Sequence, residues 1–348
     1  MKLKVKNSNL KSIAFFCFLF PFLLCGQNSR IKYSFAKGAD VGWLPQMESS
    51  GIKFYNDMGV EEDCLKILKK HGINAIRLRT WVNPSEDKFR GHCSTIETVA
   101  MAVRAQKSGM RIMIDFHYSD SWADPGKQIK PKAWIDHSFT QLLTDVFLYT
   151  EEVMSALKLQ GIYPEWVQIG NETTSGMIYP EGSTDNWSQL AQLINQGYDA
   201  VKKVSPNSKI ILHIDQGNYN KKFITWFDNA KKFGAKFDVI GMSYYPYHLN
   251  SSHPNYMQSI DDLGFNLKDM ASRYNKEVMI VEVGGEDNKA QNTYDMLVAV
   301  QRKVKEVPRH KGLGVIYWEP QGVRSWSRYP LSIWGKDGKP TKALNAFE

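Results

Sequence analysis

Short apolar runs that end in polar residues recur along the chain, and stretches with helical spacing separate them. Phe35-Ala-Lys-Gly-Ala-Asp-Val41 reads as a first strand with Asp40 near its end, and a loop holding Trp43 and Tyr55 follows. Val60 to His71 puts Val60, Cys64, Ile67 and Leu68 on one helical face, and Gly72 closes it as a C-terminal signal. Asn74 to Val82 is strand two, Thr95 to Ser108 a helix, and Arg111 to Tyr118 strand three. Phe139 to Gln160 is a long helix before the short run Trp166-Val-Gln-Ile169, strand four. The helix Asn186 to Val204 precedes Lys209 to Asp215, strand five, and the helix Asn220 to Phe233 precedes Phe237 to Pro246, strand six. Ile260 to Tyr274 is helical, Glu277 to Val283 is strand seven, Gln291 to Val304 is helical and Leu313 to Pro320 is strand eight. A helix of about two turns, Thr341 to Glu348, ends the chain. Eight strand–helix units at this spacing predict an α/β fold, a (β/α)8 TIM barrel forming a single domain, rather than a doubly wound sheet.

Barrels of this kind carry their chemistry on the C-terminal strand ends, which directs attention to what stands there. Strand four runs into Asn171 and Glu172, and strand seven carries Glu282. A carboxylate at the tip of a buried strand costs several kcal/mol unless it is paired or solvated. Either carboxylate taken alone is as well explained by an ion pair or a helix cap. Two of them at the same end of a barrel suggest acid/base or nucleophilic work. Arg77 and Arg79 share one face of strand two by alternation, and arginines pointing into the mouth would hold a nearby carboxylate ionised.

The first residues stand apart. Lysines up to Lys11 precede the apolar run Ile13 to Cys25, which is shaped like a secretory signal, so residues 1–26 are expected to be a signal peptide and 27–348 the barrel of an exported protein, secreted, periplasmic or at the cell surface. Cys25 raises a lipoprotein alternative, disfavoured because Leu24 stands where such sites want a small residue. Four lysines and no acid leave with the signal, so the formal charge of +8 falls to +4. With no basic stripe interleaved with aromatics, a nucleic-acid partner is not expected, and no glycine-rich phosphate loop follows a strand, which disfavours a nucleotide. The chain is 12% aromatic with ten tryptophans, and aromatic faces in clefts stack on sugar rings. Cys64 and Cys93 remain in the mature chain, where a buried free thiol and a disulfide are both open.

Three chemistries compete for the strand ends. Asp115 with His117 and His213 with Asp215 form Asp/His pairs of the kind barrel metallohydrolases use, but those enzymes also want a His-x-His on strand one, which offers only Asp40. A Ser/His/Asp triad lacks a nucleophile elbow. Glycoside hydrolysis fits better, because it needs one protonated and one ionised carboxyl group about the anomeric carbon, and a gap of about 5–5.5 Å means retention.

Asn171-Glu172, Glu282 and Trp318 resemble the retaining glycosidase clan with paired glutamates on strands four and seven. Lys37 to Asp40, Arg77 to Pro84, Asp115-Phe-His-Tyr-Ser-Asp-Ser-Trp-Ala-Asp-Pro-Gly-Lys-Gln128, Val167 to Glu172 and Asp238 to Pro246 are similar to the endo-β-1,4-galactanases of glycoside hydrolase family 53. The resemblance covers nearly all of the mature chain. It implies Glu172 as acid/base, Glu282 as nucleophile, Asn171 binding the sugar 2-hydroxyl and Trp318 stacking under the ring. Tyr244 or Tyr245 would hydrogen-bond Glu282, and Asp115, His117, Trp81 and Trp122, together with Arg77 and Arg79, would be substrate-binding groups, with core packing as the plain alternative for Trp134. The implied partner is β-1,4-galactan of pectin side chains, cut by a monomer without a cofactor. Val283-Gly-Gly-Glu-Asp-Asn288 departs from the small-residue, aromatic and proline run expected there, and its shortness argues against the structural calcium of some relatives. Glu286 and Glu319 are rival carboxylates, and another endoglycanase of the clan, such as a mannanase, or a barrel that binds carbohydrate without turnover, are the alternatives.

Overall fold

The computed structural model describes residues 34–87, 91–249 and 255–348; the expected signal, with Cys17 and Cys25, lies outside them. Strands Ala36–Asp40 (β1), Ala75–Thr80 (β2), Arg111–Phe116 (β3), Trp166–Ile169 (β4), Lys209–Ile214 (β5), Val239–Tyr244 (β6), Glu277–Val283 (β7) and Gly312–Trp318 (β8) close in chain order into an all-parallel barrel. Each is buried on both faces, as expected for parallel strands covered by helices.

Side-chain alternation divides the strand residues between two cores. Ala36, Ala75, Met113, Trp166, Ile211, Val239, Met279, Val281, Leu313 and Ile316 fill the barrel interior. Residues of opposite parity, such as Ile76, Ile114, Val167, Ile210, Ile240 and Ile280, pack outward against the helices. Moving two or four residues toward the C-terminal ends on the inner face turns this apolar floor into a polar layer of Asp40, Arg77, Asp115, Gln168, His213 and Ser243, all buried.

The helices follow the predicted order with trimmed ends. Thr95–Lys107 and Phe139–Leu159 open with capping boxes, Ser94 with Glu97 and Ser138 with Gln141, which satisfy donors the first turn leaves free. The helix expected from Val60 begins only at Cys64, where Asp63 caps the Lys66 amide, and Val60 is exposed rather than part of an apolar face. Gly72 ends it at φ +89°, and a Cβ there would meet the Phe347 carbonyl at 2.1 Å, so the turn needs glycine for both reasons. The last helix is a 3₁₀ segment, Lys342–Phe347, rather than two α turns. Cys64 and Cys93 are both buried free thiols.

One irregularity bears on the site. β7 pairs with β6 as Met242↔Ile280 and then Ser243↔Glu282, and with β8 as Ile280↔Val315 and then Val283↔Tyr317. Both neighbours therefore see one extra residue in β7 between Ile280 and Val283. Strict alternation from the inward Met279 and Val281 would send Glu282 out toward the helices; the bulge turns it into the mouth beside Ser243.

Candidate active site

Arg77 is the hub of the polar layer. Its guanidinium reaches Asp40 at 2.7 Å, Asp115 at 2.8 Å, Glu282 at 3.0 Å and the Asn171 Oδ1 at 2.9 Å while almost fully buried. Burial opposes its charge, but Asp115, Glu282 and Asp40 outweigh that and hold it charged well above the ordinary arginine value. Arg79 makes a separate centre: it pairs with Glu319 and, at 3.3 Å, with Asp40, beneath the ring of Trp122 at 4.5 Å. Glu319 also accepts from the Trp43 amide at 3.0 Å and from Gln321 at 2.5 Å.

The third-strand motif braces the tip of β4. His117 bonds Asp115 through Nε2 at 3.0 Å and accepts the Ala123 amide on Nδ1 at 3.1 Å. The Ala123 carbonyl then accepts from Asn171 Nδ2 at 2.8 Å, and Gln128 donates to the Asn171 carbonyl at 2.9 Å. Glu172 follows in the left-handed region at φ 44°, a conformation unusual for a residue with a Cβ, and this scaffold holds it there.

Glu172 and Glu282 line one cavity of about 420 Å³, with Trp318, Tyr245, Tyr329, Ser243 and Asp215 among its other walls. Their partners differ in kind. Glu282 is 6% exposed and is held by the Arg77 cation and by a 3.0 Å hydrogen bond from the Tyr245 hydroxyl. Glu172 keeps part of its surface open to the cavity and accepts at 2.6 Å from the neutral hydroxyl of Ser243. Burial raises the Glu282 carboxyl, Arg77 and Tyr245 pull it back, and with Asp115 and Asp40 nearby it is pushed up to about 7. Burial and then the Glu282 charge push Glu172 well above the usual carboxylate range, against the Ser243 hydrogen bond and the more distant Arg77. A proton shared by the two carboxyl groups therefore resides on Glu172, leaving Glu282 as the first to ionise. One acid and one carboxylate facing a common cavity can together protonate a leaving oxygen and attack the carbon it leaves.

The remaining expected site residues divide clearly. Trp318 faces the cavity, edge-on to Trp43 at 5.0 Å and Tyr329 at 4.8 Å, and Trp122 leans on it at 5.8 Å. Arg77, Arg79, Asp115, His117 and Trp81 are buried, and of these Arg77 pairs directly with the cavity-lining Glu282 while Arg79 pairs with Asp40 and Glu319. Tyr244 is a correction: parity turns it outward, and its hydroxyl bonds Ser259 at 2.9 Å and the Tyr256 carbonyl at 3.2 Å, whereas Tyr245 reaches Glu282. The rival Glu286 pairs with Lys289 at 2.7 Å, and Glu319 is fully buried against Arg79. Trp134 packs on Tyr149. The Asp/His pairs do not join into a metal site: among the described residues no group of three or more such side chains is arranged to hold an ion. Asp215 instead pairs with Lys222 at 2.8 Å.

Sequence reasoning missed Ser243, although its inward parity with Val239 and Gly241 was a readable signal. Tyr329 comes from an aperiodic loop and left none.

Residues 36–347 match the model of "Glycosyl hydrolase family 53". The chain belongs to glycosyl hydrolase family 53. This family 53 chain is 33% identical over 314 residues to the "Endo-beta-1,4-galactanase" of Bacillus subtilis (strain 168), a match covering 83% of this chain and 70% of that one. It is 30% identical over 339 residues to the "Arabinogalactan endo-beta-1,4-galactanase" of Thermothelomyces thermophilus, covering 90% and 98%. Its fold superposes on the Ignisphaera aggregans family 53 catalytic domain with a TM-score of 0.82 at 30% identity, over 90% of this chain and 95% of that one. The likeness thus spans 83–90% of the chain in these comparisons and is not confined to the strand-end motifs.

Proposed function

We propose that this chain is an exported, retaining endo-β-1,4-galactanase that cuts β-1,4-galactan, such as the side chains of pectin, with Glu172 as acid/base and Glu282 as nucleophile. The observation that carries the reading is the pair of glutamates on one cavity, one beside a cation and one beside a neutral hydroxyl. In the first step a Glu282 carboxylate oxygen bonds to the anomeric carbon as the glycosidic bond breaks, and the Glu172 proton goes to the departing oxygen. In the second, Glu172 takes a proton from water, the hydroxide oxygen bonds to the same carbon, and the Glu282 ester bond breaks. Two inversions return the β configuration. Trp318 supplies an apolar face for the sugar ring. The named relatives support galactan as the polymer.

The test is reducing-end release from galactan, mannan and cellulose by the wild-type chain and two variants. Glu282→Ala loses cleavage, and azide rescues it with a product of inverted configuration. Glu172→Ala keeps more activity on aryl glycosides, which need no proton, than on the polymer. Cleavage of mannan in preference to galactan refutes the substrate; retained activity in Glu282→Ala, or equal losses on both substrates in Glu172→Ala, refutes the roles.

A further inference from the structure

Glu172 is tied to itself through two neighbouring side chains. Its backbone amide donates to His213 Nδ1 at 3.4 Å. His213 Nε2 lies 2.7 Å from the Ser243 hydroxyl, and that hydroxyl donates to Glu172 Oε1 at 2.6 Å. The directions follow from the donors. Nδ1 of His213 faces the Glu172 amide, which can only donate, and the Asn171 Oδ1 at 3.2 Å, which can only accept but already takes a hydrogen bond from Arg77 at 2.9 Å; with Nδ1 serving as acceptor, a neutral imidazole carries its proton on Nε2 and gives it to Ser243, whose single hydroxyl proton is left for the carboxyl group. Gln168 Nε2, which gives one proton to Asp115 at 2.6 Å, lies 3.1 Å from the same Nδ1 with its second. Burial, with Arg77 and His117 nearby, keeps His213 neutral, well below the ordinary histidine value.

We infer that His213 and Ser243 are positioning residues that commit Oε1 of Glu172 as an acceptor and so leave Oε2 as the single oxygen that carries the catalytic proton. This rests on Glu172 being the acid/base. The hydrogen-bond ring gives the acid one orientation in both halves of the reaction. With Oε1 occupied, the proton has only Oε2 on which to sit during leaving-group departure, and in the second half the same Oε2 accepts the proton of the incoming water. The ring also sets the acid's strength, because a hydroxyl that donates to the carboxylate favours the ionised form. The other charged and titratable groups facing Glu172 are Glu282 on β7, Tyr245 just after β6 with its hydroxyl on Glu282, Asp215 with its Lys222 partner just after β5, and Arg77 on β2, whereas the hydrogen bond to Oε1 comes from Ser243.

Two measurements test this. In ¹⁵N spectra of the wild-type protein, His213 shows a neutral ring protonated on Nε2 that does not titrate between pH 5 and 8; an Nδ1-protonated tautomer or an imidazolium in that window overturns the ring. In kinetics, Ser243→Ala moves the alkaline limb of kcat/KM upward by about one pH unit, the scale of a hydrogen bond to a charged group. It also loses more activity on galactan than on an aryl galactobioside, and Ser243→Thr, which keeps the hydroxyl, restores the limb. An unmoved limb, or equal losses on the two substrates, overturns the proposal. Failure of the Glu172→Ala pattern would overturn the acid/base reading itself, whereas the tautomer measurement does not depend on activity, so the two failures are distinguishable.

Discussion

Glu282→Gln should make the protein more stable at neutral and alkaline pH while abolishing turnover, and the size of the gain can be worked from the site. Glutamine has the shape of a protonated glutamic acid, its amide oxygen can accept from Arg77 in the place of Oε1 and its amide nitrogen can donate to the Tyr245 hydroxyl in the place of Oε2, so the variant holds the site in its neutral form. The carboxyl ionises near 4.5 when unfolded and near 7 in the fold, because burial together with Asp115 and Asp40 outweighs Arg77. A folded value raised above the unfolded one means that the native state binds the proton more tightly. Wild-type stability from this group is therefore complete below pH 4.5, falls as pH rises, and is fully lost above about 7. The difference of about 2.5 pH units corresponds to about 3 kcal/mol. Urea unfolding of both proteins across pH 4.5 to 8 reads it directly: the curves coincide to within a few tenths of a kcal/mol at the acid end, and the variant gains about 3 kcal/mol at pH 8. An offset independent of pH, or a variant less stable than wild type at pH 8, would refute the claim that this carboxylate is held ionised at a cost to the fold.

Two further expectations follow from the same geometry. Tyr245→Phe removes the hydroxyl that favours ionised Glu282, so the acid limb of kcat/KM should move upward by about one pH unit, and a limb that stays in place contradicts the 3.0 Å contact. Gly197→Ala puts a Cβ within 2.8 Å of the Tyr118 hydroxyl and 2.9 Å of Ile169, overpacking the helix Trp187–Val204 against β4; thermal unfolding should show a loss of about 1–3 kcal/mol, and a neutral result would mean that this interface yields more readily than its spacing implies.

Parity explains why much of this was legible before any coordinates. Helical spacing and short apolar runs are local properties, and eight alternations of the two leave a closed barrel as the arrangement that buries every strand on both faces. The same alternation put Arg77 and Arg79 on one face, and the polar ends of the strands marked the mouth. Glu172 and Trp318 were readable in this way from position alone.

What only the tertiary structure decided depends on contacts between segments far apart in the chain. Alternation along β7 points Glu282 away from the cavity; the extra residue that reverses this is visible only as a mismatch with β6 and β8. Which arginine serves which acid is likewise a matter of distance, and it divides Arg77 from Arg79, and Tyr245 from Tyr244, though each pair looks equivalent in one dimension. The third-strand motif, whose Asp115, His117 and Trp122 were expected to bind substrate, also places the Ala123 carbonyl and the Gln128 side chain on Asn171, a contact across more than forty residues of chain. Local pattern selects the fold because burial is satisfied strand by strand, whereas the protonation of two carboxyl groups depends on burial, on charges brought together from β1, β2, β3 and the residue after β5, and on hydroxyls from β6 and its end.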